Sequence, residues 1–118
     1  MSGKIISRAR LPQRRPAETI EIEHGGLRFA VTVGFYPDGW PGEVFTHGAK
    51  TGSTIDGLLD DACVLVSLLI QHGIEPPELA KSMGRFGSEQ PASVIGAVVD
   101  IAAAAVLYPK ERSEEVNA

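Results

Sequence analysis

Cysteine is almost missing from this 118-residue chain, and the one present, Cys63, can form no internal disulfide and cannot assemble a multi-cysteine zinc or iron–sulfur site. Redox relay and cysteine-held metal chemistry are thereby excluded. Histidine is also scarce: His24, His47 and His72 fall on a turn, a strand end and a helix end, without the His-Glu-x-x-His spacing that places two ligands on one helix face. No metal, flavin or cobalamin is expected to be bound. No apolar run approaches the length that crosses a bilayer, and no basic-then-apolar start leads into a small-residue cleavage site, so a cytoplasmic protein is expected. Aromatics make up 6% of the chain, and none is interleaved with its basic residues, which removes the usual platform for stacking bases.

The apolar fraction of 43% is that of an ordinary folded domain, and the length suits one core. The net charge of -4 is unevenly spread, because Lys4, Arg8, Arg10, Arg14 and Arg15 all precede the first acidic residue, Glu18. Residues 1–16 are expected to be a basic flexible arm, ordered at most by docking, with residues 17–108 a single domain and 109–118 a charged tail. Arg8, Arg10, Arg14 and Arg15 are candidate contacts to nucleic acid or to an acidic partner surface, although such arms are commonly just solvated ends.

Periodicity places the elements. "ETIEIEH" alternates Ile20 and Ile22 with Glu21 and Glu23, and "LRFAVTV" alternates Leu27, Phe29, Val31 and Val33 with Arg28, Ala30 and Thr32. Period two on both sides of His24-Gly25-Gly26 predicts an antiparallel hairpin over 18–24 and 27–34. "YPDGWPG" is a second reversal, leading to a third strand over 42–47.

From Thr54 the period changes to that of a helix, expected over 54–72, with Ser53 or Thr54 as N-cap and Gly73 as terminator after His72. Asp56, Asp60, Ser67 and Gln71 form a narrow polar stripe on it, the remaining circumference being mostly apolar. "PPELAKSMG" predicts a short helix over 76–83, "FGSEQPAS" a loop, and "SVIGAVVDIAAAAVLY" a third helix over 92–107 that is apolar nearly all round. The fold class is therefore α+β, an N-terminal antiparallel three-stranded sheet packed on a C-terminal layer of about three helices. Two helices that are apolar all round need more cover than one small sheet supplies. Self-association is expected, as a two-fold dimer through these apolar helices, with the helix at 92–107 foremost.

The succession "LPQRRPAETIEI", "LRFAVTVG", "PDGWPGEVF", "GAKTGS" and "SLLIQHGIEPPELAKSMGR" resembles the C-terminal domain of class II, adenosylcobalamin-dependent ribonucleotide reductases and its stand-alone relatives, the TSCPD-domain family. The resemblance covers roughly residues 10 to 107. Its most specific parts are the "EVF" strand running into a Gly-x-Lys-x-Gly-Ser turn, and "LLIQHGI" followed by a Pro-Glu-Leu helix. The cysteine motif that names the family is absent, with Thr54-Ile55-Asp56 in its place. The resemblance implies a non-catalytic accessory or binding module linked to ribonucleotide reduction, with a reductase catalytic subunit as partner. The reductase catalytic domain, with its radical cysteine and cobalamin site, has no counterpart here, so activity by the chain alone is not expected.

An alternative is a small protein or enzyme that binds a phosphorylated ligand through "GAKTGST". Gly48, Lys50, Gly52 and Ser53 open the long helix, where free N–H groups and a positive dipole end suit an anion. The order is not that of a Walker loop, since Lys50 precedes Gly52, and the bland reading is a tight turn with Ser53 as a cap. No catalytic residue is assigned. Cys63 reads as a core residue on the apolar side of the helix. Asp100, the lone charge in the third helix, faces either a partner's basic side chain or solvent, and Trp40 is either an interface anchor or a cover over the hairpin.

Overall fold

A computed structural model describes residues 7–48, 53–87 and 89–107. Three strands, β1 (Ala17–His24), β2 (Leu27–Phe35) and β3 (Pro41–His47), form an antiparallel sheet in the order β1-β2-β3. The first reversal occupies two residues, Gly25 and Gly26, both at positive φ (59° and 82°) between the paired His24 and Leu27. A turn of this type twists with the strands, but every residue with a Cβ is strained in it. Between β2 and β3 the register slips after Gly34–Glu43, so that Phe35 pairs with Pro41 and Gly42 is the extra residue. Pro41 is tolerated because β3 lies at the sheet edge.

Four helical or extended pieces follow: α1 (Ser53–Gln71), α2 (Pro76–Ser82), a two-stranded ribbon of β4 (Arg85–Phe86) and β5 (Gln90–Pro91), and α3 (Val94–Leu107). Thus the architecture is α+β, as periodicity predicts. The β4–β5 ribbon replaces the expected loop, and its pairing of Arg85 with Pro91 is too short to leave a periodic signal. Gly73 ends α1 with φ 102°, and Ile74 N donates to Leu69 O at 3.0 Å, the six-to-one bond of a Schellman cap. His72 Nδ1 donates to Leu68 O at 2.9 Å, adding a side-chain donor at the same helix end. Ser93 caps α3, its Oγ accepting from Gly96 N at 3.0 Å.

The inward face of the sheet, Phe29, Val31, Val33 and Val44, packs with Cys63, Val66 and Ile70 of α1 and with Val98, Val99 and Ala102 of α3. Arg85 grips Asp100 through two bonds, 2.9 and 2.7 Å, fastening the ribbon to α3. Asp100 is therefore the mate of a residue in its own chain. Two expectations about apolar surface change. Val98 and Val99 are 0% exposed, so α3 is an internal core element rather than a self-association surface. The aliphatic surface left outside lies on α1, where Leu58 is 63% and Leu65 is 62% exposed. Ile20 of β1 is also exposed, because the helices cover β2 and β3 and leave the β1 edge open.

Candidate functional site

An edge strand carries a row of unpaired backbone groups, and here α1 lies along β3 to supply their partners. Ser67 Oγ accepts from Val44 N at 3.0 Å and donates to Val44 O at 3.3 Å. Gln71, one helical turn on, donates from Nε2 to Gly42 O at 2.8 Å, and Cys63, one turn before, is hydrogen-bonded with Thr46. Positions i, i+4 and i+8 of a helix rise about 6 Å per step, which matches two residues of a strand. Two residues of the polar stripe read from the sequence, Ser67 and Gln71, thus belong to a helix-to-strand ladder, whereas Asp60 of the same stripe is exposed.

The segment 7–16 completes this edge. Ala9 N donates to Gln71 O at 2.8 Å, Arg8 Nε donates to Gln71 Oε1 at 2.5 Å, and Phe35 N donates to Pro16 O at 2.9 Å. The Tyr36 hydroxyl donates to Ala9 O. Arg15 forms a two-pronged pair with Glu43, through Nε to Oε2 and through Nη2 to Oε1 at 3.2 Å, while its Nη1 donates to Pro12 O at 2.6 Å. Of the four arginines singled out in this segment, Arg8 and Arg15 are committed internally, and Arg10 and Arg14 are exposed. Leu11 packs over Gly42, where an added Cβ would stand 2.8 Å from Leu11 Cδ2 and 2.7 Å from the Tyr36 ring.

The strap crosses between two hollows. One, of about 710 Å³, runs between β3 and α1 and is lined by Arg8, Glu43, His47, Asp60, Cys63 and Leu68 among others. Burial pushes the Cys63 thiol above its ordinary pKa, Asp60 adds to the effect, and hydrogen bonding to Thr46 opposes it. The thiol is held protonated and is a poor nucleophile, although His47 lines the same hollow. His47 is itself engaged, its Nε2 lying 2.8 Å from Thr32 Oγ1. Because the folded state disfavours the thiolate, it keeps a proton that the unfolded chain releases. Stability is therefore whole below the ordinary thiol pKa, about 8.5, and falls as pH rises beyond it. Urea midpoints should decline between pH 8 and 10, and should decline less in Cys63→Ala; equal declines would remove Cys63 as the cause.

The other hollow, of about 590 Å³, lies between the Tyr36–Trp40 turn and the Gly73–Pro76 turn. Trp40 lines it, half-buried, so it does not fold wholly over the hairpin. Among the described residues no group of three or more His, Cys, Asp or Glu can hold a metal ion. Among them, too, no helix is long and apolar enough to cross a membrane. Of the candidate anion loop, Lys50, Gly52 and the side chain of Ser53 lie outside the described residues; Gly48, at φ 89°, leaves β3 in a conformation that suits glycine. The arrangement of Glu43, Arg15, Ser67 and Gln71 escapes sequence patterning, because each partner is 23 to 29 positions distant.

A three-stranded antiparallel sheet whose outer strand is laddered to a long helix, and whose edge is strapped by an N-terminal segment, defines a small α+β domain. The chain belongs to the TSCPD domain family, whose model matches residues 5–106. It is 42% identical over 67 residues to the vitamin B12-dependent ribonucleotide reductase of Rhodopirellula baltica, a match spanning 57% of this chain and 6% of that protein. The corresponding protein of Streptantibioticus cattleyicolor is 40% identical over 67 residues, 57% of this chain and 11% of that one. That of Agrobacterium fabrum is 27% identical over 88 residues, 75% of this chain and 7% of that one. The chain thus spans only 6% to 11% of the length of these relatives. No solved structure matches it.

Proposed function

We propose that the chain is a non-catalytic accessory module linked to ribonucleotide reduction, acting in the cytoplasm as a homodimer that binds a reductase catalytic subunit. The carrying observation is the 42% identity to a vitamin B12-dependent ribonucleotide reductase, confined to a segment that is 6% of that protein. The commitment of polar side chains to structure supports it: Glu43 holds Arg15, Asp100 holds Arg85, and Ser67 and Gln71 close the β3 edge. Nucleic acid is the weaker partner, since Arg8 and Arg15 already have intramolecular mates. The test is to delete the matching segment from a vitamin B12-dependent reductase and add this chain in trans. Binding at micromolar concentration, with no nucleotide reduction by the chain alone, is expected; no binding at about 100 μM, an affinity too weak for a standing subunit, overturns the reading.

The homodimer is supported by the outer face of α1. Ile55, Leu58, Ala62, Leu65 and Leu69 recur at alternating spacings of three and four, the pattern of a helix-pairing seam, and Ile55, Leu58, Leu65 and Leu69 are all at least 43% exposed. Each such aliphatic forgoes part of the roughly 1.5 to 3 kcal/mol that full burial supplies. Leu65→Glu should leave helix content nearly unchanged while converting dimer to monomer in sedimentation at micromolar concentration, and should remove the concentration dependence of melting. A wild-type monomer, or an unaltered dimer in both Leu65→Glu and Leu58→Glu, removes this seam as the interface.

A further inference from the structure

The hollow between the two turns has a chemical character that the accessory reading does not use. Its walls are preformed. Tyr36 N donates to Trp40 O at 2.8 Å, Gly39 N to Tyr36 O at 2.9 Å, and Trp40 N to Asp38 Oδ1 at 3.0 Å, while the Schellman cap of α1 holds Gly73 and Ile74 opposite. Pro37, Pro41 and Pro76, each with φ set by its ring, also line it. A site this constrained loses little conformational freedom when it is filled.

Tyr36 and Trp40 give the hollow aromatic surface, and Ile74, 39% exposed, gives it an aliphatic one. Asp38 and Glu75 belong to the same lining. Aromatic-walled grooves take polyproline-type segments, whose rings stack on the aromatic faces and whose extended form is already ordered before binding. Two carboxylates beside an indole select a cation, by charge and by attraction to the ring face. An acidic segment would be repelled there.

We propose that this hollow docks an extended, proline-bearing segment of a partner protein, with the prolines on Tyr36 and Trp40 and a lysine or arginine against Asp38 and Glu75. The inference rests on the reading of the chain as a binding module, and it names the chemistry of what is bound. Its site is separate from the α1 seam, so dimer formation and docking are independent.

Trp40 is the sole tryptophan of the chain, so its fluorescence reports on this hollow directly. The probe is the peptide acetyl-Ala-Pro-Pro-Leu-Pro-Arg-Ala-amide, compared with the same peptide carrying glutamate for arginine and with arginine amide alone. A saturable change with Kd below about 1 mM is expected for the arginine peptide, with at least a tenfold weakening, about 1.4 kcal/mol, for the glutamate peptide. Asp38→Asn with Glu75→Gln should weaken the arginine peptide by a similar factor, the Asn oxygen still able to accept from Trp40 N. Ile74→Asp should abolish binding without changing the circular dichroism spectrum. Equal affinity of the two peptides, no saturable change at about 5 mM, or arginine amide binding as tightly as the peptide overturns the proposal. If the peptide fails while the chain still binds the truncated reductase, the docking proposal falls and the accessory reading stands. If the peptide binds and the reductase does not, the docking proposal stands and the partner lies outside ribonucleotide reduction.

Discussion

Val98→Glu is expected to abolish the native fold. Val98 has no solvent exposure and shares one buried cluster with Val31, Val33, Val44, Cys63 and Val66, drawn from the sheet and from α1. A carboxylate there loses its hydration, meets no cation in the cluster and overfills a site shaped for three carbons. The combined cost of desolvation and overpacking is several kcal/mol, against a total stability of about 5 to 15 kcal/mol for a domain of this kind. Circular dichroism should show loss of cooperative melting, and Val99→Glu should behave alike, since Val99 is equally buried. The comparison that gives this its force is Leu65→Glu on α1, which carries the same charge on an exposed helix face and should still fold and melt cooperatively. A Val98→Glu protein that keeps its melting temperature within about 5 °C would place α3 at the surface, contrary to the packing described.

Glu43→Ala is expected to be the most damaging single removal of a polar group. The carboxylate is buried, takes both prongs of Arg15, and lies in the bulged part of β3 beneath the strap. Breaking a buried pair costs about 3 to 5 kcal/mol, and because Arg15 retains some access to water the cost here falls just below that range, at about 2 to 3 kcal/mol. For a domain of this size that lowers the melting temperature by roughly 10 °C or more. Arg15→Ala should cost less, since the carboxylate it strands can draw in water once the strap loosens. The double variant should cost clearly less than the sum, with a coupling of about 1 to 3 kcal/mol. Gly34→Ala offers a second route to the same pair, because its Cβ would stand 2.8 Å from Glu43 Cγ and push the carboxylate aside. Strict additivity in the Arg15–Glu43 cycle would mean that the pair does not hold the strap.

Local pattern was enough for the strands, the helices and the turns that join them. Alternation in "LRFAVTV" decided which of Phe29, Val31 and Val33 face inward, and Gly25-Gly26 and Gly73 marked a two-residue hairpin turn and a helix end that require positive φ. These features depend on residues within a few positions of one another, so a one-dimensional reading contains their cause. The destination of each surface is another matter. Both long helices are apolar around most of their circumference, yet α3 is enclosed by the sheet, α1 and α2, while α1 keeps a face outside. Enclosure depends on how many elements a helix meets, and its own composition does not encode that number. Ser67 and Gln71 read as no more than part of a polar stripe, because periodicity registers polarity without registering that an edge strand with unpaired amides lies alongside. The same holds for Arg15 and Asp100, whose mates, Glu43 and Arg85, are brought to them only by the packing of distant segments.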